Sequence, residues 1–135
     1  VKAATREDLP GIMAALFRMR AKNPNNQMKW AQPEVAERYL IWAIEQGFVV
    51  IVDGYMVLYS VVKPWFSDAE FLVEDLILKI GPTTIPVESV IDVLEDLKQI
   101  NNCVCTIVGD TQVGYMGPKY LARGFRLLGS QLIKE

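Results

Sequence analysis

The chain has 135 residues, 51% of them hydrophobic, with 14 basic and 16 acidic side chains and a formal charge of −2, so one domain over residues 1–135 is expected and nucleic acid is an unsuitable partner. Its longest apolar runs, Phe48 to Val52 and Val57 to Val62, fall far short of the roughly 20 residues that span a bilayer; with no basic or apolar leader at Val1 to Thr5, no membrane partner and a cytoplasmic location are expected. The absence of histidine removes Ser-His and Cys-His nucleophile pairs and any imidazole base.

Val1 to Ala4 reads as a short first strand, and Thr5 follows as a helix N-cap with Asp8 in a capping-box position. Leu9, Ile12, Met13, Leu16 and Phe17 recur at helical spacing, an apolar stripe running to about Arg20. Asn23, Pro24, Asn25 and Asn26 break it, and Pro33 opens a second helix from Glu34 to about Glu45. Trp30, between the two, has no evident place. Gly47 ends the second helix. Phe48 to Val52 and Tyr55 to Val62 are then β-branched runs joined through Asp53-Gly54, the strongest hairpin signal in the chain.

After Pro64 and the polar Ser67-Asp68 turn, Phe71 to Ile80 reads as a long fourth strand. Gly81, Pro82 and Pro86 lead into a helix from about Pro86 to Ile100, whose Val87, Val90, Ile91, Leu94 and Leu97 share one face. Cys103 to Val108 is the next strand, which makes a parallel crossover with the fourth. Tyr115 to Arg123 reads as a short last helix capped by Gly124, and Arg126 to Ile133 as a terminal strand. Cys103 and Cys105 lie on one side of their strand, a poor geometry for a mutual disulfide; they read as reduced core thiols, with too few companions for a metal site. Trp42, Trp65, Tyr55 and Tyr59 read as core or cross-strand residues.

The order β-α-α-β-β-β-α-β-α-β is joined by two local strings, Ala4-Thr5-Arg6-Glu7-Asp8-Leu9-Pro10 and Tyr120-Leu121-Ala122-Arg123-Gly124-Phe125. Over essentially the whole chain this resembles the GNAT (acyl-CoA N-acyltransferase-like) superfamily. The resemblance implies an α+β fold: a central mixed, mostly antiparallel, twisted sheet of about six or seven strands with helices on both faces. Val108-Gly109-Asp110-Thr111, followed by a short helix and a glycine, is also similar to a stretch of small GNAT-like phage virion proteins.

Members of the superfamily bind acetyl-CoA where the fourth and fifth strands splay apart, with the pyrophosphate on the N-terminus of the helix between them. There, backbone N–H groups and the helix dipole attract an anion. The family's Gln/Arg-x-x-Gly-x-Gly/Ala motif would fall with its basic residue on Thr83 and its small residues on Pro86 and Glu88, and all three positions depart. Pro82 and Pro86 each remove a donor from the loop, and Glu88 sets a carboxylate beside the expected phosphates. Thr83, Thr84 and the remaining amides are left as a smaller anion pocket. Carried over by position, the resemblance places Leu76, Leu78, Thr83, Thr84, Ile85 and Asp110 along the acetyl-CoA cleft.

Direct acyl transfer needs a base for the amine and an acid for the leaving thiolate. Glu74, on the strand face expected to hold Leu72, Leu76 and Leu78, is the candidate base, its pKa raised by apolar neighbours. Asp75, expected on the opposite face, is the runner-up, and an ordinary strand carboxylate paired with Lys or Arg is the alternative for Glu74. Tyr120 stands where the superfamily commonly carries the tyrosine that protonates coenzyme A; a packed helix tyrosine is the alternative. Asp110 would suit a cationic substrate or cap the segment after it. Two functions stay open: N-acetyl transfer from acetyl-CoA to a small-molecule or protein amine, with room for a homodimer, and a non-catalytic structural or interaction protein of this fold, of phage type, that has lost acyl-CoA binding.

Overall fold

The computed structural model describes residues 1–25, 27–109, 116–129, 132, 134 and 135. Strand β1 (Lys2–Ala3) leads to Thr5, whose N–H donates to Asp8 Oδ2 at 2.8 Å, so the expected capping box forms. It starts a 3-10 turn, Arg6–Asp8, that runs straight into helix α1 (Leu9–Lys22). A second 3-10 turn, Gln27–Trp30, precedes helix α2 (Pro33–Gln46), which has proline in its first turn as the sequence predicts. Gly47 closes α2 at φ +81°, a left-handed cap that a side chain would strain.

Strands β2 (Val49–Val52), β3 (Tyr55–Val62) and β4 (Phe71–Lys79) follow as an antiparallel meander. Helix α3 (Val87–Ile100) then crosses to β5 (Cys105–Ile107), which lies parallel to β4, and helix α4 (Gly117–Ala122) comes next. The sheet order is β1-β2-β3-β4-β5.

Alternation along the central strands sends side chains to two cores. Val49, Ile51, Met56, Leu58, Leu76 and Leu78 pack under α1 and α2, which contribute Ile12, Leu16, Leu40 and Ala43. Val50, Val52, Val57, Tyr59, Leu72 and Ile77 pack under α3, with Val90, Ile91, Leu94 and Leu97, and under Met116 and Tyr120. Helices thus cover both faces, as expected.

The sheet has five strands among the described residues, not the six or seven expected. The terminal strand expected over Arg126 to Ile133 is not formed at residues 126–129; Ser130, Gln131 and Ile133 lie outside the described residues. Leu127, Leu128 and Leu132 are 83%, 73% and 98% exposed. Two adjacent leucines followed by Gly129 do not alternate as a half-buried strand must, and the glycine has no side chain to pack. The fifth strand is also shorter than Cys103 to Val108. Among the described residues no helix is long and apolar enough to cross a membrane.

Candidate functional site

The site is set by an irregularity in β4. Leu58 pairs with Leu76, but its neighbour Tyr59 pairs with Glu74, so Asp75 is an extra residue on β4, a β-bulge. One inserted residue reverses the facing of everything before it. Glu74 therefore does not share a face with Leu76 and Leu78, as expected, but turns with Leu72 toward α3. Asp75 stands on the α1–α2 side with Leu76. Glu74 is the one buried charged residue among those described, and Gly109 N–H points at its Oε2 at 3.5 Å.

The bulge adjoins a parting of strands. The β4–β5 ladder holds only Phe71 with Cys105, Leu72 with Thr106 and Val73 with Ile107. Among the described residues the β4–β5 ladder ends at Val73. Thr106 Oγ1, one pair before the ladder ends, is buried with no hydrogen-bond partner.

At the far end of β4 the loop to α3 meets the β2–β3 turn. Asp53 has φ +53°, and its Oδ2 accepts the Thr83 hydroxyl at 2.7 Å and the Thr84 N–H at 2.8 Å. These bonds, Thr83 first, hold the Asp53 carboxyl below the usual aspartate range. Gly54 O accepts the N–H groups of Ile80 at 2.8 Å and Gly81 at 3.2 Å. A Cβ on Gly54 would lie 2.3 Å from Pro82 O, so the glycine is required for close approach. Ile85 N–H turns to Thr83 Oγ1, and Ser89 N–H bonds to Pro86 O at 3.1 Å.

Glu88 takes its own backbone N–H, which holds its carboxyl below the usual range, with Lys119 3.5 Å away as a further cause. Between Ile80 and Ser89 the amides are thus largely engaged inside the chain, and a side-chain carboxylate sits on Thr83 and Thr84. The donor set does not fit a diphosphate.

Leu76 and Leu78, expected along the cofactor cleft, belong instead to the α1–α2 core. Ile85 packs against the α3 core. Tyr120 is 4% exposed in that same core, its ring edge-on to Phe125 at 5.3 Å between centroids. It shares the α3 face with Glu74. Asp110 lies outside the described residues. Arg123 pairs with Asp92 at 2.9 Å, a second ion pair from the α4 end to α3.

On the other face of the sheet α1, α2, the turn between them, β3 and β4 line a half-open pocket of about 610 Å³. Buried walls come from Ile12, Leu16, Leu40 and Met56, while Trp30 and Tyr39 are about half exposed at its rim. Asp75 is the one carboxylate among its described lining residues. The carboxyl is open to solvent on one side and backed by apolar walls on the other, and this desolvation raises its pKa against an opposing Ser60 hydrogen bond. Burial, and then the Asp75 charge, pushes the Tyr39 phenol up.

Trp30 and Tyr39 escaped sequence reading as site residues. The signal available was the second stripe on α2, Val35, Tyr39 and Trp42, at helical spacing but outside the core face. Trp65, read as core or cross-strand, is 96% exposed beside Phe66, because it lies in the β3–β4 loop and not on a strand. Cys103 and Cys105 are free thiols. No group of three metal-ligating side chains converges among the described residues.

No protein-family model matches the sequence, and no curated protein matches it. Solved structures do match over nearly the whole chain. A possible acetyltransferase from Clostridium difficile 630 superposes with a TM-score of 0.70 at 9% identity, covering 98% of this chain and 93% of its own. A predicted acetyltransferase from Clostridium acetobutylicum, solved with acetyl-CoA, gives 0.68 at 14% identity, covering 98% and 92%. The ribosomal-protein-alanine N-acetyltransferase of Brucella melitensis biovar Abortus 2308 gives 0.61 at 14% identity, covering 96% and 94%. At such identities the likeness speaks for architecture alone. The five-stranded sheet, the β4 bulge and the parted β4–β5 edge therefore belong to a chain with the GNAT acetyltransferase fold.

Proposed function

We propose that this chain is a GNAT-fold structural or interaction protein in which the coenzyme A diphosphate seat has been closed from within. One observation carries this reading. Asp53 Oδ2 already accepts the Thr83 hydroxyl and the Thr84 amide, in the loop where a diphosphate would need them. Seating acetyl-CoA there would break those bonds and set two phosphates against the carboxylates of Asp53 and Glu88, with Pro82 and Pro86 offering no N–H in exchange. Melting the protein with and without acetyl-CoA tests this. A ligand at about a hundred times its Kd adds about 2.7 kcal/mol of stability, so a clear rise in Tm would overturn the reading, and none is expected.

The second reading, acetyl transfer from acetyl-CoA to a small-molecule or protein amine, is supported by the short β4–β5 ladder and the orphan Thr106 hydroxyl beside it. Glu74, Asp75 and Tyr120 are the residues it rests on. Acetylation of any amine by the purified chain, lost in Glu74→Gln or Tyr120→Phe, would establish it.

A further inference from the structure

Beyond the closed diphosphate seat, we infer that the bare end of the sheet on its α1–α2 side, with the β3–β4 loop beside it, is the surface through which two copies of this chain pair about a twofold axis. Leu72 and Glu74 turn toward α3, so Phe71 and Val73 face the other way. Their register partners share that side: Val62 and Cys105 flank Phe71, and Ile107 lies beside Val73. Among the described residues none of these five joins either core. The core under α1 and α2 draws on β3 and β4 only past the bulge, at Met56, Leu58, Leu76 and Leu78.

The loop extends this apolar surface. Trp65 is 96% exposed and Phe66 65%, edge to face at 5.5 Å between centroids. Ser67 N–H bonds to Pro64 O at 3.4 Å and Ala69 N–H to Ser67 Oγ at 3.0 Å. The rings therefore stand on a turn closed by its own bonds, and little freedom is lost when they are covered. Large rings left in water next to an apolar sheet face mark an interaction surface, and tryptophan is prominent among residues that carry binding energy. The two rings offer on the order of 300 Å² toward the roughly 800 Å² that an ordinary interface takes from each partner, and the bare sheet end continues it.

The charges select the occupant. Lys63 and Asp68 bracket the rings, both are exposed, and neither enters an ion pair among the described residues. A single cation answered by an anion in the same loop does not suit an anionic lipid surface or a nucleic acid. It does suit a second copy. An isologous contact repeats every pair in reverse, so Lys63 of each copy meets Asp68 of the other, and the rings of each lie over the bare sheet end opposite.

Analytical ultracentrifugation of the unmodified chain, over a dilution series reaching submillimolar concentration, tests this. A reversible rise toward the mass of two chains is expected. Trp65→Ala should weaken it about thirtyfold, whereas Leu121→Ala, which trims an exposed side chain on α4, should leave it unchanged. Lys63→Asp and Asp68→Lys should each weaken pairing about tenfold or more through like charges. An equimolar mixture of those two variants should pair about as tightly as the unmodified chain, because only the mixed dimer meets opposite charges at both contacts. A single-chain mass throughout, as when another protein or this chain's own C-terminal segment covers the face, would overturn the inference. So would a dimer that survives Trp65→Ala, or a mixture that pairs no better than either variant alone. The mass of the unmodified chain decides even if a variant fails to fold. An acetyl-CoA-induced rise in Tm would sink the closed seat and leave this pairing standing.

Discussion

The carboxylate of Asp53, in the turn between β2 and β3, accepts the backbone N–H of Thr84 at 2.8 Å across 31 residues of sequence. An internal carboxylate thereby stands where an external anion would stand in an acyl-CoA enzyme. The same turn is anchored a second time through Gly54 O to Ile80 and Gly81. The hairpin and the α3 loop form one unit, held at its tip by a charge and at its base by backbone.

Replacing Asp53 with Asn removes the charge while keeping a residue that tolerates the left-handed conformation. The folded-state pKa of Asp53 lies below its unfolded value, so its contribution is present above the ordinary carboxylate value of about 3.9 and lost as pH falls through the lower folded value. Asp53→Asn should therefore melt below the unmodified chain at neutral pH, and the two melting curves should converge on the acid side. Thermal melts across that pH range check it.

Gly54→Ala tests the base of the hairpin contact. Its Cβ would meet Pro82 O at 2.3 Å and Gly81 O at 2.6 Å, backbone atoms that move only if the loop moves. A loss of about 1–3 kcal/mol is expected, read in a urea melt. Gly11→Ala, where an added Cβ meets nothing within 4 Å, is the control and should not be destabilised.

Asp75 carries the opposite sign. Its folded pKa is raised, so the neutral acid is the comfortable form, and stability tied to it is lost as pH rises through the folded value. Asp75→Asn should melt slightly above the unmodified chain at neutral pH, the gain fading on acidification, because the site is open enough for water to screen much of the penalty.

Leu72, fully buried between β4 and α3, is expected to lose about 2–5 kcal/mol on conversion to Ala. Arg123→Ala, which removes an exposed pair with Asp92, should change stability by under about 1 kcal/mol. Denaturant melts of the two variants side by side separate core packing from surface charge.

Much of this fold is legible in the sequence because its signals are local. The Thr5–Asp8 cap, Pro33, Gly47 and the Asp53-Gly54 turn each act over a few residues, and the helical stripes of α1 and α3 predict which sides they bury. The bulge at Asp75 is not legible, since one extra residue in Phe71–Lys79 leaves a run that still looks like a strand, yet it decides which face Glu74 and Asp75 occupy. The engagement of Thr83 and Thr84 by Asp53 was equally hidden. Sequence shows the missing glycines and the added Pro82, Pro86 and Glu88, but a bond across 30 residues depends on how the hairpin and loop meet in space. The cavity is likewise a tertiary product, made where the unplaced Trp30 meets the outer stripe of α2.

The most direct measurement is the amide spectrum of Thr83, Thr84, Ile85 and Val87 during titration with acetyl-CoA. If Asp53 closes the seat, the Thr84 resonance sits at the position of a carboxylate-bonded amide and stays there at millimolar ligand. Saturable movement of these amides together, with Thr84 leaving its Asp53-bonded position, would contradict the closed seat and return the chain to the acyl-CoA-binding members of its fold.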